Sequence, residues 1–304
     1  MSTASMSSAE IDGFKKAIEP MWTSLGALVS AGFEMVDGTQ PQAESRAMAE
    51  IAQEARLGDS NWSEPIQHVQ MIVGFNSIAL LDHCRSYGLH FATEPIPLYS
   101  HFVVARAALD AGATAWWLLD SEIGAEQRAM RGQVLRLANA REAKRGPSDL
   151  EAMRTTAATV SQAVQAGAAD RGLRVIVNKP RTPITIGKQE KPTPRQSIEA
   201  MLGYKGFPEV SHVLWWLLSG YTHGGFYALA QSIGVRPTGE EMGLPMAGLV
   251  TDSRTSNLIG ALVGKATVRV VQARNEYYGL ESPAWDSAVS EFNSFAASLL
   301  GNAK

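Results

Sequence analysis

The stretch YSHFVVARAALDAGATAWWLLD, residues 99–120, decides the fold. It is apolar nearly all round, and its length approaches the roughly 20 residues that span a bilayer. Arg106 and Asp110 nevertheless stand inside it, four residues apart. Charges near the centre of a span are expensive in lipid, whereas a helix wrapped by other helices tolerates a paired Arg and Asp. The segment therefore reads as the central helix of a helical protein, with no membrane insertion expected. A second apolar window, residues 210–230, is cut by Ser219, Gly220, His223 and two further glycines, and reads as another core helix within 208–233.

Outward from these windows, helix formers dominate and apolar residues recur at three and four rather than at two. A first helix is predicted over 9–35, with Phe14, Ile18, Met21, Leu25, Leu28 and Val29 as its stripe and Pro20 as a kink. A second, over 42–57, places Met48, Ile51 and Ala55 on one face and stops at Gly58. The third opens with Ser63 as N-cap and Pro65 in its first turn and runs to about Phe91, before Pro95 and Pro97. The fifth, over 125–145, carries Arg128, Arg131, Arg136, Arg141, Lys144 and Arg145. Ser148 and Glu151 form a capping box for a sixth that ends near Gly172. Further helices are expected over 196–202, 252–278 and 285–300. The fold class is all-α, a multi-helix bundle of about eight or nine helices in one domain spanning 1–304.

Residues 171–195 break the pattern. Pro180, Pro183, Pro192 and Pro194 exclude a continuous helix, and Arg or Lys recurs at 171, 174, 179, 181, 188, 191 and 195. The stretch is expected to be an exposed, projecting excursion with a minor hairpin near 173–186.

The 304 residues, 45% of them hydrophobic, suffice for a large core. A net charge of −3 gives no whole-chain basicity, so any site for a polyanion must be local. The lone cysteine, Cys84, rules out an intrachain disulfide and a four-thiolate zinc site. With the polar N-terminus MSTASMSSAEIDGFKK, which lacks a secretory apolar run, it leads to a cytoplasmic expectation.

Three constellations carry candidate chemistry. Arg106 and Asp110 share a helix face with Trp117 and Asp120, as a buried salt bridge or as a pocket in which Arg106 holds a small anionic ligand. Asn76, His83 and His90 recur every seven residues with Tyr87 between, as an interhelical hydrogen-bond network or as ligand contacts from His83 and Tyr87. Ser219 and His223 stand four apart beside Gly220, Gly224 and Gly225, as close helix packing or as a nucleophile and base. Arg174, Lys179, Arg181, Lys188 and Lys191 are the candidate nucleic-acid contacts. Glu209-Val210-Ser211-His212 is the one Glu-x-x-His element, so no metal is expected, and no cofactor. Phosphate loops, Gly-x-Ser-x-Gly elbows and His-Glu-x-x-His helices are absent from the sequence.

Ala105-Arg106-Ala107-Ala108-Leu109-Asp110, then Ala115-Trp116-Trp117-Leu118-Leu119-Asp120, with Asp82-His83 before and Ser219-Gly220-Tyr221-Thr222-His223-Gly224 after, resembles a group of uncharacterised helical bacterial proteins. Those carry Arg-Ala-Ala-Leu-Glu, Trp-Leu-Leu-Asp and Ser-x-x-x-His-Gly elements. Asp110 replaces their usual Glu, with the same charge and a shorter reach. Such proteins are distantly similar to the HEPN helical ribonucleases of toxin and phage-defence systems, marked by Arg, four to six residues, then His. Arg85-Ser86-Tyr87-Gly88-Leu89-His90 fits that form, whereas Arg274-Asn275 resembles its start with no histidine following. The resemblance implies a regulatory or defence-associated protein in contact with RNA. Two other classes stand beside it: a small-molecule binder or enzyme using Arg106, Asp110 and His223, and a structural or partner-binding protein. Separately, a homodimer is expected, since the exposed apolar surface of helical bundles often packs against a second copy.

Overall fold

A computed structural model of the chain describes residues 8–93, 99–145, 151–177, 183–203, 215–220, 222, 233–241, 244–251 and 253–301. Helix α1 (Ser8–Val36) buries all six residues of its predicted stripe and contains Pro20. The expected second helix is two short ones. In α2 (Arg46–Ile51) the Ser45 hydroxyl accepts from the Met48 amide, and α3 (Glu54–Leu57) follows at once. The residues buried there are Ala47, Glu50 and Leu57, not Met48, Ile51 and Ala55.

Helix α4 (Pro65–Leu89) starts after Glu64, which adopts a left-handed φ of 45°, so Ser63 is not its cap. The Glu54 carboxylate supplies the missing acceptor, taking the Ile66 amide at 2.9 Å. A cap provided by a neighbouring helix leaves no local signature. A single 3-10 turn, His90–Ala92, ends the segment.

Helix α5 (Ser100–Leu118) is the expected centre, with Phe102, Ala105, Ala108, Leu109, Ala113, Ala115 and Leu118 all buried. It packs along α4, and at Gly112 an added Cβ would lie 3.2 Å from Met201 Sδ and 3.4 Å from Leu80. Helices α6 (Ala125–Ala143), α7 (Glu151–Asp170), α8 (Pro194–Leu202), α9 (Ser253–Tyr278) and α10 (Pro283–Gly301) complete the set. The largest apolar cluster joins α1, α4, α5, α8, α9 and α10. The all-α expectation holds: eight helices of nine residues or more are present among the described residues. None of the described helices is long and apolar enough to cross a membrane.

The minor hairpin is present and has a third strand. β1 (Val175–Ile176) pairs antiparallel with β2 (Thr185–Ile186), and β2 with β3 (Gln189–Glu190). The segment is anchored rather than projecting throughout, because Ile184 and Ile186 pack against Trp62, Met130 and Val134 of a second apolar cluster. Arg171, expected in the exposed stretch, instead lies over the Trp62 ring at 4.3 Å, bonds the Leu57 carbonyl and pairs with Asp59. Lys179, Pro180 and Arg181, in the connection from β1 to β2, lie outside the described residues.

A second hairpin, β4 (Ile233–Glu241) with β5 (Leu244–Thr251), is not among the elements expected from the sequence. Ile233 therefore opens a strand rather than closing the helix predicted over 208–233, of which 215–220 and 222 are described and helical. Pro237 lacks an amide to donate, and the register shifts between Pro237 and Gly239, the kind of interruption that hides strands in a Gly- and Pro-rich segment.

Helices α6 and α7 clasp Trp62, whose indole N–H donates to the Val164 carbonyl at 3.1 Å. Gly167 faces that ring so closely that a Cβ would collide with it. Gly167→Ala should destabilise the fold by about 1–3 kcal/mol through overpacking. Gly26→Ala, on an exposed stretch of α1 with open space around it, should instead stabilise by about 0.5–1 kcal/mol. Urea denaturation midpoints of the two variants should move in opposite directions.

Candidate functional site

Helix α5 aims Arg106 and Asp110 at each other, with Nε donating to Oδ2 at 2.8 Å. The Arg106 side chain is 11% exposed, but that of Asp110 is 43% exposed, so the pair sits at the edge of the core, not within it. Trp215 supplies the remaining contacts: its ring stacks under the guanidinium at 5.1 Å and its carbonyl accepts from Nη1 at 3.4 Å. Ser219 is half-buried in the same helical stretch, whereas His223 lies outside the described residues.

Trp117 does not join this group. It shares the face of Arg106, but eleven residues of helix separate the two by about 16 Å. At its own level Arg131 reaches in from α6, stacking on the Trp117 ring at 5.1 Å and pairing with Asp120 at 3.0 Å. The face 106–110–117–120 thus carries two separate ion pairs rather than one pocket.

The polar line on α4 is also dispersed. Asn76 donates to Ile72 O at 2.9 Å and His90 Nδ1 contacts Ser86 O at 2.7 Å, each bonding its own helix four residues back. His83 is half-buried with no hydrogen-bond partner among the described residues. Tyr87 alone crosses to another helix, its buried hydroxyl donating to Ser256 O at 2.6 Å. Burial raises that phenol well above its ordinary range, so the hydroxyl keeps its proton as a donor. For the HEPN-like form, Arg85 and His90 are about 140° apart around the helix. Arg274 is a buried cap on α1, donating to the Met35 carbonyl at 2.6 Å and to Thr39 Oγ1 at 2.9 Å.

Among the described residues, the most connected polar centre is one that sequence reasoning missed. Glu50, buried on α2, receives three donors: Arg46 Nε at 3.1 Å on Oε1, and Arg128 Nε and the Tyr277 hydroxyl, each at 2.8 Å, on Oε2. Arg128 is fully buried, stacks on the Tyr277 ring at 4.7 Å, and donates to the carbonyls of Leu118, Asp120 and Ile123. Arg46 donates to the carbonyls of Ser121 and Ile123. Burial raises the Tyr277 phenol first, and the Glu50 charge raises it further, against the opposing pull of Arg128, so the hydroxyl keeps its proton as a donor. A signal did exist: Ala125, Arg128, Ala129, Gly132 and Leu135 form an i, i+3, i+4, i+7, i+10 stripe with an arginine inside it.

Beside this centre is a cavity of about 180 Å³ lined by Arg46, Trp116, Asp120, Ser121, Glu276 and Tyr277 among others. Its Arg46, Asp120 and Tyr277 are already held by the contacts above. A shallower recess of about 430 Å³ follows α9, lined by Gln272, Asn275, Glu281 and Asp286 among others.

Of the candidate nucleic-acid contacts, Arg174, Lys188 and Lys191 are exposed on the small sheet, while Lys179 and Arg181 lie outside the described residues. The Gly187 amide bonds the Arg174 carbonyl at 2.8 Å, which brings Arg174 and Lys188 to one end of the sheet. Two of the basic residues of α6 do not extend this surface: Arg128 and Arg131 are turned inward, and Arg131 Nε meets Gln189 at 3.0 Å. No protein-family model, curated protein or solved structure matches the chain.

Glu50→Ala should cost about 3–5 kcal/mol by leaving Arg128 buried and unpaired, whereas Asp110→Ala should cost only about 1 kcal/mol because Asp110 faces solvent. Chemical denaturation of both variants checks the ranking. Cys84 supplies a separate test. Burial pushes its thiol up to about 12, only partly offset by Thr267 Oγ1 at 3.1 Å, so native protein at pH 8 should resist alkylation and react only at the rate at which it opens.

Proposed function

We propose that this chain is a partner-binding helical protein that works through a surface rather than through a catalytic pocket. The observation that carries the reading is the outer stripe of α4, where Met71, Phe75, Ile78 and Leu89 are all exposed, Phe75 at 65%. A solvent-facing helix stripe is ordinarily polar, and one that exposes large apolar side chains at successive turns, as Met71, Phe75 and Ile78 do, marks an interaction site. The candidate polar groups support the same reading, since Arg106, Asp120, Arg131 and Tyr87 are engaged with neighbours inside the fold. The lone buried thiol agrees with work in the reducing cytoplasm.

RNA contact in a regulatory or defence setting is the second reading, favoured by the exposed Arg174, Lys188 and Lys191. A small anionic ligand at Arg106 has less support, because Asp110 already takes Nε and the Trp215 carbonyl takes Nη1.

A photo-crosslinking residue placed at position 75 in the producing cell should yield one discrete protein adduct, and one at Thr155, on the exposed face of α7, should yield none. An RNase-sensitive adduct at Lys188 with nothing at position 75 would replace this reading with the RNA one.

A further inference from the structure

The exposed positions of α4 are Gln67, Met71, Phe75, Ile78, Asp82, Arg85 and Leu89. From Met71 onward the spacing is 4, 3, 4, 3, 4, which keeps all six within about 80° of arc and is the seam spacing of a two-helix coiled coil. Four of the six are large and apolar. The two that are not, Asp82 and Arg85, stand together between Ile78 and Leu89 with opposite charge, and neither has an ion-pair partner among the described residues.

We infer that this seam binds a second copy of the chain. Resting on the partner-binding reading above, the geometry points to a two-fold dimer in which α4 packs antiparallel on α4 of the other copy, its axis passing between His83 and Cys84. Residue numbers facing each other across such an axis have a constant sum. Placing Asp82 opposite Arg85 of the second copy places Ile78 opposite Leu89 and Phe75 opposite Ala92, itself exposed in the 3-10 turn. Each copy contributes the same pairs, so the interface holds two ion pairs at its centre and apolar layers about 8 Å to either side.

The charges select this arrangement over its neighbours. A parallel pairing in register sets Asp82 against Asp82 and Arg85 against Arg85. An antiparallel pairing displaced by one heptad sets Asp82 against Ile78 and Arg85 against Phe75, leaving both charges against apolar groups. Like charges facing each other, or charges desolvated without a partner, disfavour both alternatives. Trp22, 40% exposed and lying against Gly88, adds apolar surface beside the stripe.

Sedimentation equilibrium of the full chain should give twice the 32.7 kDa monomer mass. Asp82→Arg and Arg85→Asp, made singly, should each weaken the dimer at least tenfold, and the double exchange Asp82→Arg with Arg85→Asp should restore it. Both positions are exposed, so unchanged far-UV circular dichroism and melting temperature will show that the variants fold. A monomeric wild-type chain overturns the inference, as does a dimer indifferent to the single exchanges or not restored by the double one. A monomer whose position 75 crosslinks to a different protein leaves the partner-binding reading standing while this inference falls; a monomer with no protein adduct removes both.

Discussion

The Glu50 carboxylate is the point on which the arrangement of helices depends. It lies on a six-residue helix too short to hold its place by its own hydrogen bonds, and three donors converge on it, two of them from other helices. Arg128 comes from α6, Tyr277 from the end of α9, and Arg46 from the turn below on α2 itself. Through their remaining N–H groups the two guanidiniums gather the carbonyls of residues 118–123, the connection between α5 and α6. A buried ion pair gives little net stability over an apolar packing of the same shape, but removing one partner leaves the other charged and desolvated. In the arrangement observed, the donors of Arg128 and Tyr277 find acceptors that tie α2, α6 and α9 together.

The same device recurs at lower depth. Arg131 on Trp117, Arg171 on Trp62 and Arg274 on Tyr278 each stack a guanidinium on an aromatic ring and turn its N–H groups to backbone carbonyls. Arginine suits this because its planar cation is weakly hydrated and can stack and donate at once, which lysine cannot. Arg274 has no carboxylate partner in these contacts; it meets the final carbonyls of α1, where the helix dipole is negative. Several basic residues that a sequence counts toward a polyanion surface are therefore structural, and the charge left at the surface is more dispersed than the composition of α6 suggests.

These arginines also explain where sequence reading succeeds and where it stops. The stripe of α1, the enclosure of α5 and the hairpin near 173–186 follow from periodicity, composition and local turn chemistry, all carried by neighbouring residues. Glu54 capping α4 from another helix, Glu50 meeting Arg128 across 78 positions and Tyr277 across 227, depend on tertiary placement and have no local spacing to betray them. Periodicity gives the shared face of Arg106 and Trp117 as a direction but not as a distance, because it reports angle around a helix and is silent on separation along it. The β4–β5 hairpin escapes for the opposite reason: its glycines and prolines are ordinary turn signals, and only the paired backbone reveals the strands.

Helix α4 carries the same logic from the core to the surface. Its inner face is made of Ile66, Val69, Val73, Leu80, Leu81, Cys84 and Tyr87, all buried against the rest of the chain. Its outer face also carries Met71, Phe75, Ile78 and Leu89, and a helix with large apolar groups on opposite sides is suited to an interior. In the isolated chain that requirement is met on one side only. In the dimer inferred above, α4 is a shared middle layer, and the Asp82 and Arg85 pair would play at that interface the part that Glu50 and Arg128 play in the core: apolar contact supplies the attraction, and the charges determine which of several apolar registers is adopted.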